Sequence, residues 1–356
     1  MRFQPVAILL AVVFLSTPTW ADEKKPNPKP SDRQSQLNAL IQDFIKARKE
    51  ANAAMIAAKN DADRKAAEAK MPKEADFLPR VHMLIAGDAK DEVAADALSL
   101  AVFGLGTKDE KVFDALAKHF VKSEKINRFV QMAMTGAPEA AKPVLQKVLE
   151  ENPSADLKGR ACYALGAMAF EKDDESSMKE AEKYFVRAES EFANVKGGQL
   201  GTIGEMAKGS LYELRNLRVG MKAPAIESKT LKGETASLAD HKGKVVILDF
   251  WATWCGPCKD MIPHEREMVE KFKNKPFALV SISVDEDKKE LEEFLETHKM
   301  PWVHWWTGPD SGVVKQWNVR FFPTIYVIDA KGIIRHKHIR GAELEKAVEK
   351  LLEETK

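Results

Sequence analysis

Two cysteines three residues apart, in Trp254-Cys255-Gly256-Pro257-Cys258, are the residues of this chain best placed to do chemistry. They follow an apolar run at 245–250 that reads as a strand, and they precede a run at 259–272 with helical spacing, so Cys255 falls at a helix N-terminus. Unpaired backbone N–H groups and the helix macrodipole favour a thiolate there and lower its pKa below the usual ~8.5, which makes Cys255 the attacking nucleophile. The i to i+3 spacing places Cys258 beside it one turn on, in the more shielded position of a resolving thiol. Pro257 between them lacks an N–H that the first helical turn does not need. The third cysteine, Cys162, lies on an apolar helix face and reads as a small buried core residue. A zinc site would need two further ligands at suitable spacing, and Cys162 belongs to a different part of the chain, so no metal is expected.

The chain has 356 residues, 44% apolar and 31% charged, which suits about two cores and excludes a wholly disordered polypeptide. Lys plus Arg number 55 against Asp plus Glu 54, so there is no global field to hold polyphosphate, and nucleic-acid binding is not expected. Residues 1–21 carry Arg2, an apolar run from Val6 to Leu15, and a final Ala21. A run of about ten residues is too short for ~30 Å of hydrocarbon and fits a signal peptide cut near Ala21. The expected mature protein is soluble and periplasmic or otherwise extracytoplasmic. In that oxidising environment a cysteine pair forms a disulfide or works by exchanging one.

Pro26, Pro28 and Pro30 make residues 22–35 a tether. Residues 36–218, rich in Ala, Lys, Glu and Leu and free of Trp, repeat apolar positions at helical spacing, as in Leu37, Leu40, Ile41 and Phe44. Breaks at Pro72, Pro79, Gly104 to Gly106 and Pro153, among others, predict seven or eight helices in antiparallel pairs. Leu165, Gly166 and Ala169 followed by Ala181, Phe185 and Ala188 weakly resemble a tetratricopeptide-type hairpin. From residue 219 onward, strands at 245–250, 277–284, 302–306, 324–329 and 333–338 alternate with helices at 259–272, 288–298, 312–317 and 343–354. The fold class expected is an all-α helical array at 36–218 joined to an α/β domain at 219–356 with a mixed central sheet and helices on both faces.

Val219-Gly220, Ala223-Pro224, the run Asp249-Phe250-Trp251-Ala252-Thr253-Trp254-Cys255 and Phe322-Pro323-Thr324 together resemble the thioredoxin superfamily, most closely its exported TlpA-like thiol-disulfide oxidoreductases. The resemblance covers the last ~135 residues. It implies a cis Pro323 facing the disulfide, a Phe322 backbone that pairs with an extended substrate segment, and substrate contacts from Trp254 and Thr324. It also implies that Asp249 is a buried acid whose pKa is raised by desolvation and which takes the proton of Cys258 as a mixed disulfide resolves. Two departures stand out: Ser281 occupies a position where thioredoxins often carry Lys, and Met261 one where cytochrome-maturation members commonly carry Glu, which argues against apocytochrome as client. Ala252 and Leu248 stand where a peroxidase needs Thr or Ser and Pro.

The sequence therefore predicts a thiol-disulfide oxidoreductase with a redox-active cysteine pair and no other cofactor. Gly-Pro between the cysteines resembles the reducing thioredoxins, so the expected role is reduction of disulfides in exported proteins, with electrons from a membrane thiol donor. Two alternatives stay open. One is an oxidase or isomerase whose helical domain dimerises or binds clients, and the other is a helical interaction scaffold with a thioredoxin-fold docking unit. The helical half is expected to serve a protein partner and to leave the chemistry to 219–356.

Overall fold

A computed structural model describes residues 32–355 apart from 59, 173, 199–200 and 310. The expected signal peptide, and the tether up to residue 31, lie outside the described residues. Residues 32–35 are helical rather than tether, because the last proline is Pro30 and nothing beyond it prevents α1 from starting at Asp32.

The N-terminal half contains α1 (Asp32–Ala57), α2 (Asp61–Glu68), α3 (Glu74–Gly87), α4 (Glu92–Ser99), α5 (Glu110–His119), α6 (Asn127–Ala133), α7 (Lys142–Glu151), α8 (Ala155–Phe170), α9 (Glu175–Glu191) and α10 (Ile203–Asn216). Ten α-helices among the described residues replace the expected seven or eight because polar caps divide the apolar periodicity. The side chains of Asn60, Asp91, Asp109, Ser154, Asp174 and Thr202 each accept a backbone N–H from the first turn they open. Pro79, expected as a break, sits inside α3 instead. Helices α8 and α9 cross on small residues. A Cβ on Gly166 would lie 2.7 Å from the Phe185 ring, so the helix axes can approach only with glycine there.

The C-terminal half is a seven-stranded sheet of order β2-β1-β5-β4-β3-β6-β7, formed by β1 (Glu227–Thr230), β2 (Thr235–Ser237), β3 (Val245–Trp251), β4 (Phe277–Ser283), β5 (Val303–Trp306), β6 (Thr324–Ile328) and β7 (Ile334–Lys337). β3, β4 and β5 run parallel, and β6 is antiparallel to β3, so the sheet is mixed. Its helices are α11 (Gly256–Phe272), α12 (Lys288–Thr297), α13 (Gly312–Gln316) and α14 (Gly341–Glu354).

All of β3 is buried, and its period of two divides the core. Val245 and Ile247 pack under α11 and α14 with Met268, Phe272, Leu344 and Val348. Val246, Leu248 and Phe250 pack on the other face with Trp305, Trp317 and Tyr326. That second layer also holds Leu217, with Tyr212 of α10 against it, so the helical half supplies part of the sheet's core. By the same alternation Asp249 shares the face of Val245 and Ile247, beneath α11.

Candidate active site

The strand β3 ends at Trp251 and the chain turns at Ala252–Trp254 into α11, whose N-cap is Cys255. The turn is fixed by Asp285, a fully buried carboxylate just beyond β4. It accepts the Thr253 N–H at 3.0 Å and the Thr253 hydroxyl at 2.8 Å, and Ser283 donates to its second oxygen at 2.7 Å. Cys255 and Cys258 are joined by a disulfide with Cα atoms 5.3 Å apart, and the Cys258 N–H donates to Cys255 Sγ at 3.2 Å. On reduction the same N–H, together with the helix N-terminus, is in place to stabilise a Cys255 thiolate. The two residues are 5% and 4% exposed, so overall burial does not separate nucleophile from resolving thiol as the sequence suggested. Their difference lies in the cap position and its donor.

Asp249 pairs with Ser281 across β3 and β4, and the Ser281 hydroxyl donates to Asp249 Oδ2 over a long 3.4 Å. Trp302 Nε1–H donates to that Ser281 oxygen at 2.9 Å. Asp249 Oδ1 is buried with no hydrogen-bond partner among the described residues. Desolvation dominates and pushes the Asp249 pKa up to about 7, with the Ser281 hydrogen bond and Arg340 pulling weakly the other way. Arg340 also donates to the Pro323 carbonyl at 3.1 Å, which ties the acid's surroundings to the loop before β6.

A second acid sits in the same layer. Cys258, Ile262, Glu265, Met268 and Phe272 form the buried stripe of α11, and Glu265 is 2% exposed with Oε1 unpartnered among the described residues. Burial, and after it the charge of Asp249, hold its carboxyl well above the ordinary range. Met261, one turn before it, packs against the core under the sheet.

The Phe322–Pro323 peptide bond is cis. Trp254 is 61% exposed, and its ring meets Phe322 edge-on with centroids 5.5 Å apart, while neighbouring Phe321 is 46% exposed. Phe322 packs against the cluster that holds Cys255 and Cys258, so with Trp254 it forms an apolar rim beside the disulfide. Thr324 is buried at the start of β6, and its hydroxyl donates to the Phe321 carbonyl at 2.6 Å, so its polar group closes the turn that presents Phe322 and Pro323.

The structure thus gathers Cys255, Cys258, Asp249, Trp254, Phe322, Pro323 and Thr324 at one end of β3 and β6. It adds Glu265, Asp285 and Arg340, which the sequence pattern does not single out, and Trp302. Only Glu265 leaves a usable signal, since a Glu seven residues after Cys258 and three before Met268 falls on the apolar stripe.

Cys162 is fully buried in α8. Burial pushes its thiol up to about 12, and its Sγ lies 3.3 Å from the Tyr184 carbonyl. Fully reduced protein treated with iodoacetamide at about pH 6.5 should therefore be labelled first at Cys255 and last at Cys162. Peptide mass mapping reads the order, and equal rates at the three thiols would reverse the assignment.

Residues 219–337 match the family model described as the AhpC/TSA family. The chain is 34% identical over 144 residues to the thioredoxin-like protein YneN of Bacillus subtilis strain 168, an overlap of 38% of this chain and 80% of that protein. It is 32% identical over 138 residues to the thiol-disulfide oxidoreductase ResA of Geobacillus kaustophilus, covering 39% and 78% of the two chains. Among solved structures, the thioredoxin domain of a thiol-disulfide oxidoreductase from Bacteroides vulgatus is 33% identical, with 38% of this chain and 99% of that one covered and a TM-score of 0.37.

Proposed function

The chain belongs to the thioredoxin-like thiol-disulfide oxidoreductases through its C-terminal domain, and from that premise we propose that it acts outside the cytoplasm as a reductant of disulfides in exported proteins. The observation that carries this reading is the Cys255–Cys258 disulfide at the N-terminus of α11, set over a buried Asp249 whose pKa stands at about 7. The apolar run at 6–15 ahead of Ala21 supports export. Among the described residues no helix is long and apolar enough to cross a membrane.

In the reductive direction the Cys255 thiolate attacks one sulfur of a client disulfide. That S–S bond breaks, the Cys255–client bond forms, and the other client sulfur leaves as a thiolate. Cys258 then gives its proton to Asp249 and attacks Cys255 Sγ, releasing the second client sulfur, which takes up a proton. The client has gained two electrons, and the enzyme holds the Cys255–Cys258 disulfide. A dithiol donor reached through the membrane returns it to the dithiol state. Trp254, Phe322 and Thr324 shape the client face, and the Phe322 backbone beside Pro323 offers hydrogen bonds to an extended segment.

Equilibration of the full mature chain with glutathione buffers, read by thiol trapping and mass, tests the direction. The Gly-Pro dipeptide leads us to expect a potential near about −270 mV, as in reducing thioredoxins. A value above about −180 mV would overturn the reductant role and favour the oxidase or isomerase reading.

A further inference from the structure

The loop that ends on Pro323 is held from outside its own domain. It leaves α13 at Gln316, whose side-chain amide donates to the Tyr212 hydroxyl of α10 at 2.9 Å. Two residues on, Asn318 takes a left-handed backbone with φ 49° and donates to Glu213 of α10 at 2.7 Å. Its side-chain oxygen faces Gly209, also of α10, where a Cβ would come within 2.5 Å, so a larger residue there would have to displace the Asn318 amide from its partners. Arg320 completes the junction with a planar fork. Its guanidinium donates to the Tyr163 hydroxyl of α8, to Ser210 Oγ of α10 at 2.8 Å and back to Asn318 Oδ1 at 3.1 Å. Tyr163 and Ser210 are both buried and lie 3.2 Å apart, oxygen to oxygen. Glu213 also takes Lys337 of β7 at 2.5 Å, with both side chains about 85% buried.

We propose that α8 and α10 position the client-binding loop, with Arg320 as the positioning residue that joins Tyr163 and Ser210 to Phe322 and Pro323. The helical domain then completes the active site rather than only carrying it. The inference rests on the reading that Phe322 and Pro323 receive an extended client. Pairing backbone to backbone demands register, and a displacement of about 1 Å in a positioning element is enough to cost roughly 10²-fold. A small disulfide with no peptide backbone needs only the Cys255–Cys258 pair and is indifferent to where the loop sits. Arg320 and Asn318 stand three and five residues before Pro323 with nothing between them that could absorb a shift, since Phe321 is bound by Thr324 and Pro323 by Arg340.

The test uses the full mature chain, and its first two variants leave the C-terminal domain's sequence intact. Tyr163→Phe with Ser210→Ala removes both hydrogen-bond acceptors of Arg320 on the helical side and leaves only its 3.8 Å ion pair with Glu213, and Gly209→Ala separately forces the Asn318 amide away from α10. Reduction of an extended peptide disulfide is compared with reduction of a small aromatic disulfide, and the Cys255–Cys258 potential is measured for each. The expected result is a KM for the peptide raised about tenfold in both variants, with kcat, the small-disulfide rate and the potential within about twofold of the parent. Should either variant fold poorly by circular dichroism, Arg320→Lys, which keeps the charge but not the fork, replaces it with the same expectation. An unchanged peptide KM in a folded variant, or equal losses with both disulfides, would overturn the proposal. A parent protein that shows no preference for the peptide would instead overturn the client reading of the loop.

Discussion

Replacing Cys255 with Ala should lower insulin reduction by roughly 10³-fold or more, because removal of a nucleophile leaves no group to open the client disulfide. Cys258→Ala should abolish turnover as well, but by a different route. Its Cys255 can still attack, and the product cannot be resolved, so clients should accumulate as mixed disulfides on the enzyme. The asymmetry follows from the cap geometry. Cys255 Sγ accepts the N–H of residue 258, a backbone donor that survives replacement of the Cys258 side chain. Cys162 cannot substitute for the missing thiol, since it is buried in α8 with its thiol pushed up to about 12. Non-reducing gels of the exported fraction, followed by mass spectrometry, read the adducts. Adducts on Cys255→Ala rather than on Cys258→Ala would exchange the two roles.

Much of this site is legible in the amino-acid sequence, for identifiable reasons. Cys255 and Cys258 fall where the continuous apolar run of β3 gives way to a period of 3.6 in α11, although that spacing starts the helix at 259, three residues after its observed first residue Gly256. β3, β4, β6, α12 and α14 are legible because each is a bounded apolar or amphipathic run. The hairpin of β1 and β2 is not. Glu227–Thr230 contains no apolar residue, and it becomes a strand only through pairing with β2 and with Trp305 and Trp306 of β5. Glu265 escapes notice because a glutamate in the charged run Glu265-Arg266-Glu267 suggests solvent, although its spacing puts it on the buried stripe. The junction of Arg320 with Tyr163, Ser210 and Asn318 with Glu213 spans sequence separations of 105 to 157 residues, beyond the reach of any local pattern. The expected division between a helical partner-binding half and a self-sufficient catalytic half rests on such patterns alone. Leu217 in the sheet's core and α10 against the client loop show how closely the two halves are joined.

Asp249→Asn should raise stability and lower activity, with both effects growing over the same pH range. In the folded protein the carboxyl titrates at about 7 instead of 3.8, chiefly from desolvation. Between those values the folded state binds a proton that the unfolded state has lost, so stability falls as pH rises from about 4 to 7 and is level above that. The shift amounts to roughly 4 kcal/mol at most. Other carboxylates move oppositely, as Glu213 does with Lys337, so the readout is the difference between variant and parent. It should be near zero at about pH 4 and reach about 2–4 kcal/mol by about pH 7.5. Chemical denaturation of the oxidised protein followed by Trp fluorescence suits the purpose, because six of the seven tryptophans lie in the C-terminal domain. Glu265 extends the argument. It shares the buried layer, and the negative charge on Asp249 holds its proton more tightly, so the two carboxyls lose their protons in two steps that belong to the pair. Adding Glu265→Gln to Asp249→Asn should remove the slope that remains at higher pH. Activity runs the other way. Asp249 must be ionised to take the Cys258 proton, so resolution of the mixed disulfide in the parent should quicken through about pH 7, while the Asn variant should lose that inflection and roughly 10²-fold in rate. A stability difference that stays flat from about pH 4 to 8 would mean that Asp249 is solvated in the folded protein and is not the proton acceptor.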